Sequence, residues 1–173
     1  ELTHLMTELV ELATDRSIDE PVVGVDLADL ADAVATRARR RSARSIEVSI
    51  TGTGTVPARA QMIERAIGNL VENAVKYSPP NTPIEIRVDP TSVVVYDHGP
   101  GIPEGEQDRI FDRFHRADSA RSMPGSGLGL SIVRDVVERA GGTVSATNRD
   151  GGGAAIAFTL PLSPEWSSPP SVR

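Results

Sequence analysis

The chain has no cysteine, so neither a disulfide framework nor a thiolate metal site is open to it. Aromatic residues are only 3% of its 173 residues, which leaves Val, Ile, Leu and Ala to build any core. No apolar run approaches the roughly 20 residues that span a bilayer, and no secretory leader opens the chain. Excess positive charge is missing as well. A net charge of −6 gives no basic footprint for nucleic acid, so no nucleic-acid partner is expected. The length suits one compact domain and excludes a second full one.

Leu2, Leu5, Leu9 and Leu12 recur in steps of three and four, a single apolar seam along a short helix that needs a partner. The chain opens without Met and inside this pattern, as expected of a piece of a longer protein. Residues 1–16 then read as the stump of a helical hairpin, residues 17–162 as the domain, and residues 163–173, rich in Ser and Pro, as a disordered tail. Within the domain the spacing predicts helices over 26–41, 59–77 and 128–140, and a helical turn over 110–114. It predicts strands over 46–50, 84–88, 93–96, 143–147 and 154–160, with hairpin turns after the second and fourth. Helices mixed with mostly antiparallel strands imply an α+β, two-layer sandwich in which helices cover one face of a mixed sheet. Arg37, Arg39, Arg40, Arg41 and Arg44 crowd the end of the first helix, where cations oppose the negative end of the helix dipole.

Several segments carry polar groups that structure alone does not require. On the long helix Ile63, Ile67, Leu70 and Ala74 form one stripe, and Asn69, Asn73 and Lys76 form another roughly 120° away. Asn is a mediocre helix former, so the second stripe is either an ordinary solvated face or a source of hard oxygen ligands for Mg²⁺. Asp97 stands at the mouth of the apolar strand Val93 to Tyr96 and opens Asp97-His98-Gly99-Pro100-Gly101-Ile102. It either caps a turn or accepts a donor such as the exocyclic amine of adenine. In the second case ATP binds, and GTP, which offers an acceptor there, binds weakly or not at all. Gly125-Ser126-Gly127-Leu128-Gly129 leads into a helix N-terminus, whose amides suit phosphate oxygens. It follows a polar loop instead of a strand, so it is no dinucleotide fingerprint, and neither G-x-x-x-x-G-K-[ST] nor the H-R-D segment of eukaryotic-type kinases is present. Arg113, Arg116 and Arg121 precede it in a stretch polar enough to form a lid over a nucleotide between about 115 and 127. Ile110, Phe111 and Phe114 are expected to pack beneath that lid.

Taken in order, N-L-V-E-N-A-V-K-Y-S (69–78), D-H-G-P-G-I (97–102), I-F-D-R-F-H-R (110–116) and G-S-G-L-G-L-S-I-V (125–133) resemble the N, G1, F and G2 boxes of two-component sensor histidine kinases. The resemblance covers about 22–162 and implies the Bergerat ATP-binding fold. It implies that Asn73, with Asn69 nearby, coordinates Mg²⁺ and that Lys76 and Tyr77 meet phosphate and ribose. Asp97 would meet the adenine amine, with Gly99, Gly101 and Ile102 in its loop. Arg116 and the Gly125, Gly127, Leu128 and Gly129 segment would meet the phosphates, and Thr159, in F-T-L-P, would stand near adenine. Glu72 is a candidate polarising residue. Two departures stand out: His98 replaces the usual Asn, and Asn69 replaces the Glu of the ATP-hydrolysing relatives. A serine or water nucleophile must lose a proton whereas imidazole attacks through a lone pair, so Asn69 favours transfer to histidine over hydrolysis.

The resemblance further implies an ATP- and Mg²⁺-dependent catalytic domain whose acceptor histidine lies elsewhere, since His4, His98 and His115 lack the H-E-[LF]-R-T-P setting. Its partners would be a dimerisation and phosphoacceptor domain of the same parent and a response regulator. The parent would be a membrane-anchored homodimer with this part in the cytoplasm, and the piece alone a monomer that does not phosphorylate itself. The alternatives are a degenerate domain that senses nucleotide without transfer and a gyrase-like ATPase.

Overall fold

The computed structural model describes residues 20–115 and 126–162. The expected hairpin stump, most of the expected lid and the tail from 163 lie outside the described residues. Element order is β1 (Val23–Asp26), α1 (Leu27–Ser42), β2 (Ile46–Ile50), β3 (Thr55–Ala58), α2 (Ala60–Tyr77), β4 (Ile84–Asp89), β5 (Ser92–Tyr96), a 3₁₀ turn (Arg109–Phe111), α3 (Gly129–Arg139), β6 (Thr143–Asn148) and β7 (Ala154–Thr159).

One five-stranded sheet runs β2-β4-β5-β7-β6; the β2–β4 pair is parallel and the others are antiparallel. β1 and β3 form a separate antiparallel ribbon that the spacing did not predict. Pro57, paired with Gly24 in that ribbon, breaks the alternation by which strands are read, and a prolyl residue suits such an edge.

Alternation fixes which face of the sheet is buried. Ile84, Ile86 and Val88 of β4, Val93 and Val95 of β5, and Ile156 and Phe158 of β7 point inward, and the residues between them point outward. The inner face meets Leu27, Ala31, Val34 and Ala35 of α1, Ile63, Ile67, Leu70 and Ala74 of α2, and Ile132, Val133, Val136 and Val137 of α3. Each large side chain so buried contributes about 1.5–3 kcal/mol, which is why a chain nearly free of aromatics still has a core. The two layers are those the sequence implied.

Helix ends are secured in several ways. Asp26 caps α1 by accepting from the Ala28 amide at 2.8 Å. The basic cluster divides. Arg39, Arg40 and Arg41 lie in the last turn of α1 as expected, but Arg44 reaches the end of α2, donating to the carbonyls of Val75, Ser78, Pro79 and Thr82 at 2.7–3.4 Å. At the other end of α2, Glu20 accepts the Gln61 amide at 2.8 Å, since Arg59 at the N-cap offers no side-chain acceptor. The central helix is therefore anchored at both termini by residues distant in sequence.

Candidate functional site

α2 lies at the centre of the site because two loops approach it at different heights. At its C-terminal end the Asp97–Ile102 loop closes in, with the His98 amide donating to Ser78 Oγ at 3.1 Å. A Cβ on Gly99 would lie 2.8 Å from the Tyr77 carbonyl oxygen, so only glycine permits this approach. Two turns back along α2, the N-terminus of α3 arrives, and a side chain on Gly129 would start 3.5 Å from Asn69 Oδ1. The separation from Asn69 to Tyr77 is roughly 12 Å at 1.5 Å per residue. One helix thus links two polar openings.

Asp97 is 4% exposed, so its carboxylate must be met by donors. The Gly99 and Ala154 amides both donate to Oδ1, at 2.7 and 3.1 Å. Oδ2 receives no bond among the described residues and is left to accept from a ligand. The His98 ring turns to the loop after α2, with Nδ1 3.1 Å from the Pro83 carbonyl; bonding that acceptor requires the proton on Nδ1. Ile102 is buried.

At the other opening, Asn69 and Asn73 are half-buried within α2, and their side chains hydrogen-bond to no other described residue. Lys76 lies 4.8 Å from the Tyr77 ring. Leu128 is buried, its amide turned to Ser126 Oγ at 3.2 Å, which leaves the first-turn amides of α3 facing out of the helix. Gly127 is tied by the Phe114 amide, which donates to its carbonyl at 3.2 Å. Arg134 of α3 docks the 3₁₀ segment, bonding Asp112 Oδ1 at 3.0 Å and the Asp108 carbonyl at 2.9 Å over the Phe111 ring. Among the described residues no group of three or more His, Cys, Asp or Glu could hold a metal ion. The unpaired Asn69 and Asn73 amide oxygens suit Mg²⁺, a hard cation that takes few protein ligands and the rest from water and phosphate. The donor set fits that ion.

Three expectations change. Thr159 is opposite Ser92 in the β5–β7 register, whereas Asp97 follows Tyr96 at the other end of β5, five residues or roughly 17 Å away. It does not join the site; Ala154 occupies the strand position beside Asp97. Phe114 is not packed as expected: it is 63% exposed in a left-handed backbone conformation at φ 61°, while Phe111 alone of the pair is buried. Glu72 is exposed and ion-paired with Arg41 of α1. Arg116 and Gly125 lie outside the described residues. Sequence reading gives Arg44, Ser78, Asn148 and Arg149 no part in bracing the site: Arg44 reads as one of a helix-end cluster, Ser78 as the end of a motif, and Asn148 and Arg149 as part of a glycine-rich turn.

A family model described as histidine kinase-, DNA gyrase B-, and HSP90-like ATPase matches residues 58–164. A signal transduction histidine-protein kinase/phosphatase MprB from Mycobacterium sp. (strain KMS) is 40% identical over 159 residues, which is 88% of this chain and 31% of that protein. The chain thus spans about a third of the length of the curated relatives it matches. Among solved structures, a mycobacterial sensor histidine kinase MprB is 37% identical with a TM-score of 0.72, covering 81% of this chain and 97% of that one. The ATP binding domain of PrrB from Mycobacterium tuberculosis is 27% identical with a TM-score of 0.65, covering 82% and 98%.

Proposed function

The chain belongs to the family of histidine kinase-, DNA gyrase B- and HSP90-like ATPases, and on that premise we propose that it binds ATP with Mg²⁺ and donates the γ-phosphoryl group to a histidine on the dimerisation domain of a longer sensor kinase. The observation that carries the reading is the pairing of two unlike openings along α2. At one, a buried carboxylate has Oδ1 satisfied and Oδ2 without a bond among the described residues; at the other, two side-chain amides have no partner among the described residues.

Asp97 would accept the adenine amine on Oδ2, with Gly99, Gly101 and Ile102 shaping the loop around the base. Lys76 and Tyr77 would meet phosphate and ribose between the openings, and Gly127, Leu128 and Gly129, continuing from Arg116 and Gly125, would receive the phosphates at the α3 N-terminus. Asn73 and Asn69 would hold Mg²⁺, which would neutralise charge on the phosphoryl oxygens. Asn69 is a neutral amide and removes no proton, which agrees with a histidine acceptor and disfavours hydrolysis. Glu72, committed to Arg41, is given no proton to move.

The wider assignment is part of the same proposal. Residues 1–16 would continue a dimerisation hairpin, residues 17–162 would be the catalytic domain and residues 163–173 a tail. The parent would be a membrane-anchored homodimer that places this domain in the cytoplasm and passes its phosphoryl group to a response regulator. None of the described helices is long and apolar enough to cross a membrane. The piece alone would be a monomer that does not label itself.

Mixing the chain with a separate acceptor hairpin and γ-labelled ATP tests the transfer. Label on the hairpin histidine is expected. ATP binding with no label on the hairpin would leave a nucleotide-sensing role instead, and release of free phosphate with no acceptor present would favour an ATPase.

A further inference from the structure

The turn between β6 and β7 reaches the Asp97–Ile102 loop with two adjacent side chains. Asn148, the last residue of β6, accepts the Ile102 amide on Oδ1 at 2.7 Å and returns Nδ2 to the Ile102 carbonyl at 2.8 Å. It pairs with Ile102 as a neighbouring strand would, though Ile102 lies in no strand. Arg149 donates to the Asp97 carbonyl at 3.1 Å, pairs with Glu85 at 2.9 Å and lies 5.1 Å from the Tyr96 ring. The loop is therefore gripped at its first and last residues. Between them Gly101 has φ +79°, and a Cβ there would lie 2.8 Å from Asn148 Oδ1, so the clamp and the glycine depend on each other.

A loop with two glycines has one internal bond, from the Gly99 amide to Asp97, and the bonds to its first and last residues from outside restrict its shape further. Recognition of one edge of a base by one carboxylate oxygen needs that oxygen placed within about 0.5 Å. Of the two amides on Oδ1, that of Ala154 belongs to β7 and holds the carboxylate from the sheet, whereas that of Gly99 moves with the loop and is placed only as well as the loop is.

We propose that Asn148 and Arg149 are positioning residues for base recognition, and that Asn148 sets how sharply the site separates adenine from guanine. The proposal rests on the ATP reading above and adds a determinant on a strand hairpin outside the four motif segments. Asn148 touches no ligand in this role; it acts through Ile102 and Gly101 on Asp97. Because Asn148 is exposed at the end of an edge strand, its truncation spares the core.

The test is competition titration of ATP and GTP against a labelled ATP, which reads weak ligands, together with hydrogen exchange at the Ile102 amide. In Asn148→Ala two hydrogen bonds are lost, so ATP affinity should fall about tenfold while GTP affinity stays, and the Ile102 amide should exchange faster. Asn148→Asp keeps an acceptor for the Ile102 amide but sets an oxygen against the Ile102 carbonyl, and should narrow the preference at least as far. Equal losses for both nucleotides, or an unchanged preference in either folded variant, overturn the proposal. Wild-type chain that binds no ATP sinks the reading beneath it; wild-type chain that binds ATP beside an unaffected Asn148→Ala sinks this inference alone.

Discussion

The two openings along α2 are built in opposite ways. Around Asp97 the protein supplies its own bonds: Gly99 and Ala154 to Oδ1, Ser78 to the His98 amide, Pro83 to the His98 ring, and Asn148 and Arg149 to the loop ends. Around Asn69 and Asn73 the amides have no described partner, and α3 begins without a side-chain cap. The difference teaches where selectivity and strength originate. On the proposed reading a base would be chosen by groups fixed before it arrives, whereas phosphates and metal would be met by groups that wait for them.

The largest break in this contrast is expected from Asp97→Asn. Losing a charge-assisted bond and presenting an amide should cut ATP affinity about a hundredfold by calorimetry and move the preference towards guanine. Asn73→Ala attacks the other opening. Affinity for ATP should fall about tenfold with Mg²⁺ present and stay level in chelator, because only the metal-dependent part is removed. Arg44→Met acts on the scaffold, removing charged donors from carbonyls at the end of α2. It should lower stability by about 2 kcal/mol in urea unfolding, with the choice of ATP over GTP preserved. The smallest effect belongs to Glu72→Gln, which breaks an exposed pair with Arg41 and should change stability by under about 0.5 kcal/mol. A large fall in transfer to the acceptor hairpin with binding intact would return Glu72 to the chemistry.

What the sequence made legible follows from local periodicity. The stripe Ile63, Ile67, Leu70 and Ala74 is buried as its 3.6-residue spacing required, and β4 and β5 alternate as a hairpin with one face inward. The candidate site residues on α2 and in the Asp97 loop could be singled out for a related reason, since each motif is contiguous and its polar groups break a local preference. Long-range partners were not. Nothing near Arg44 announces that it serves a helix 31 residues on, and Asn148 reads as a turn residue until Ile102 is seen beside it. Thr159 shows the complementary error: likeness in F-T-L-P gave no strand register, and register decides which end of β7 meets Asp97.

The central claim is that one helix joins a metal-holding amide to a base-gripping carboxylate, and calorimetric titration of ATP into Asn73→Ala combined with Asp97→Asn, with and without Mg²⁺, tests it most directly. Metal-dependent ATP binding should vanish in a chain that still unfolds cooperatively. Affinity equal to that of the unaltered chain, with its Mg²⁺ dependence intact, would contradict the claim.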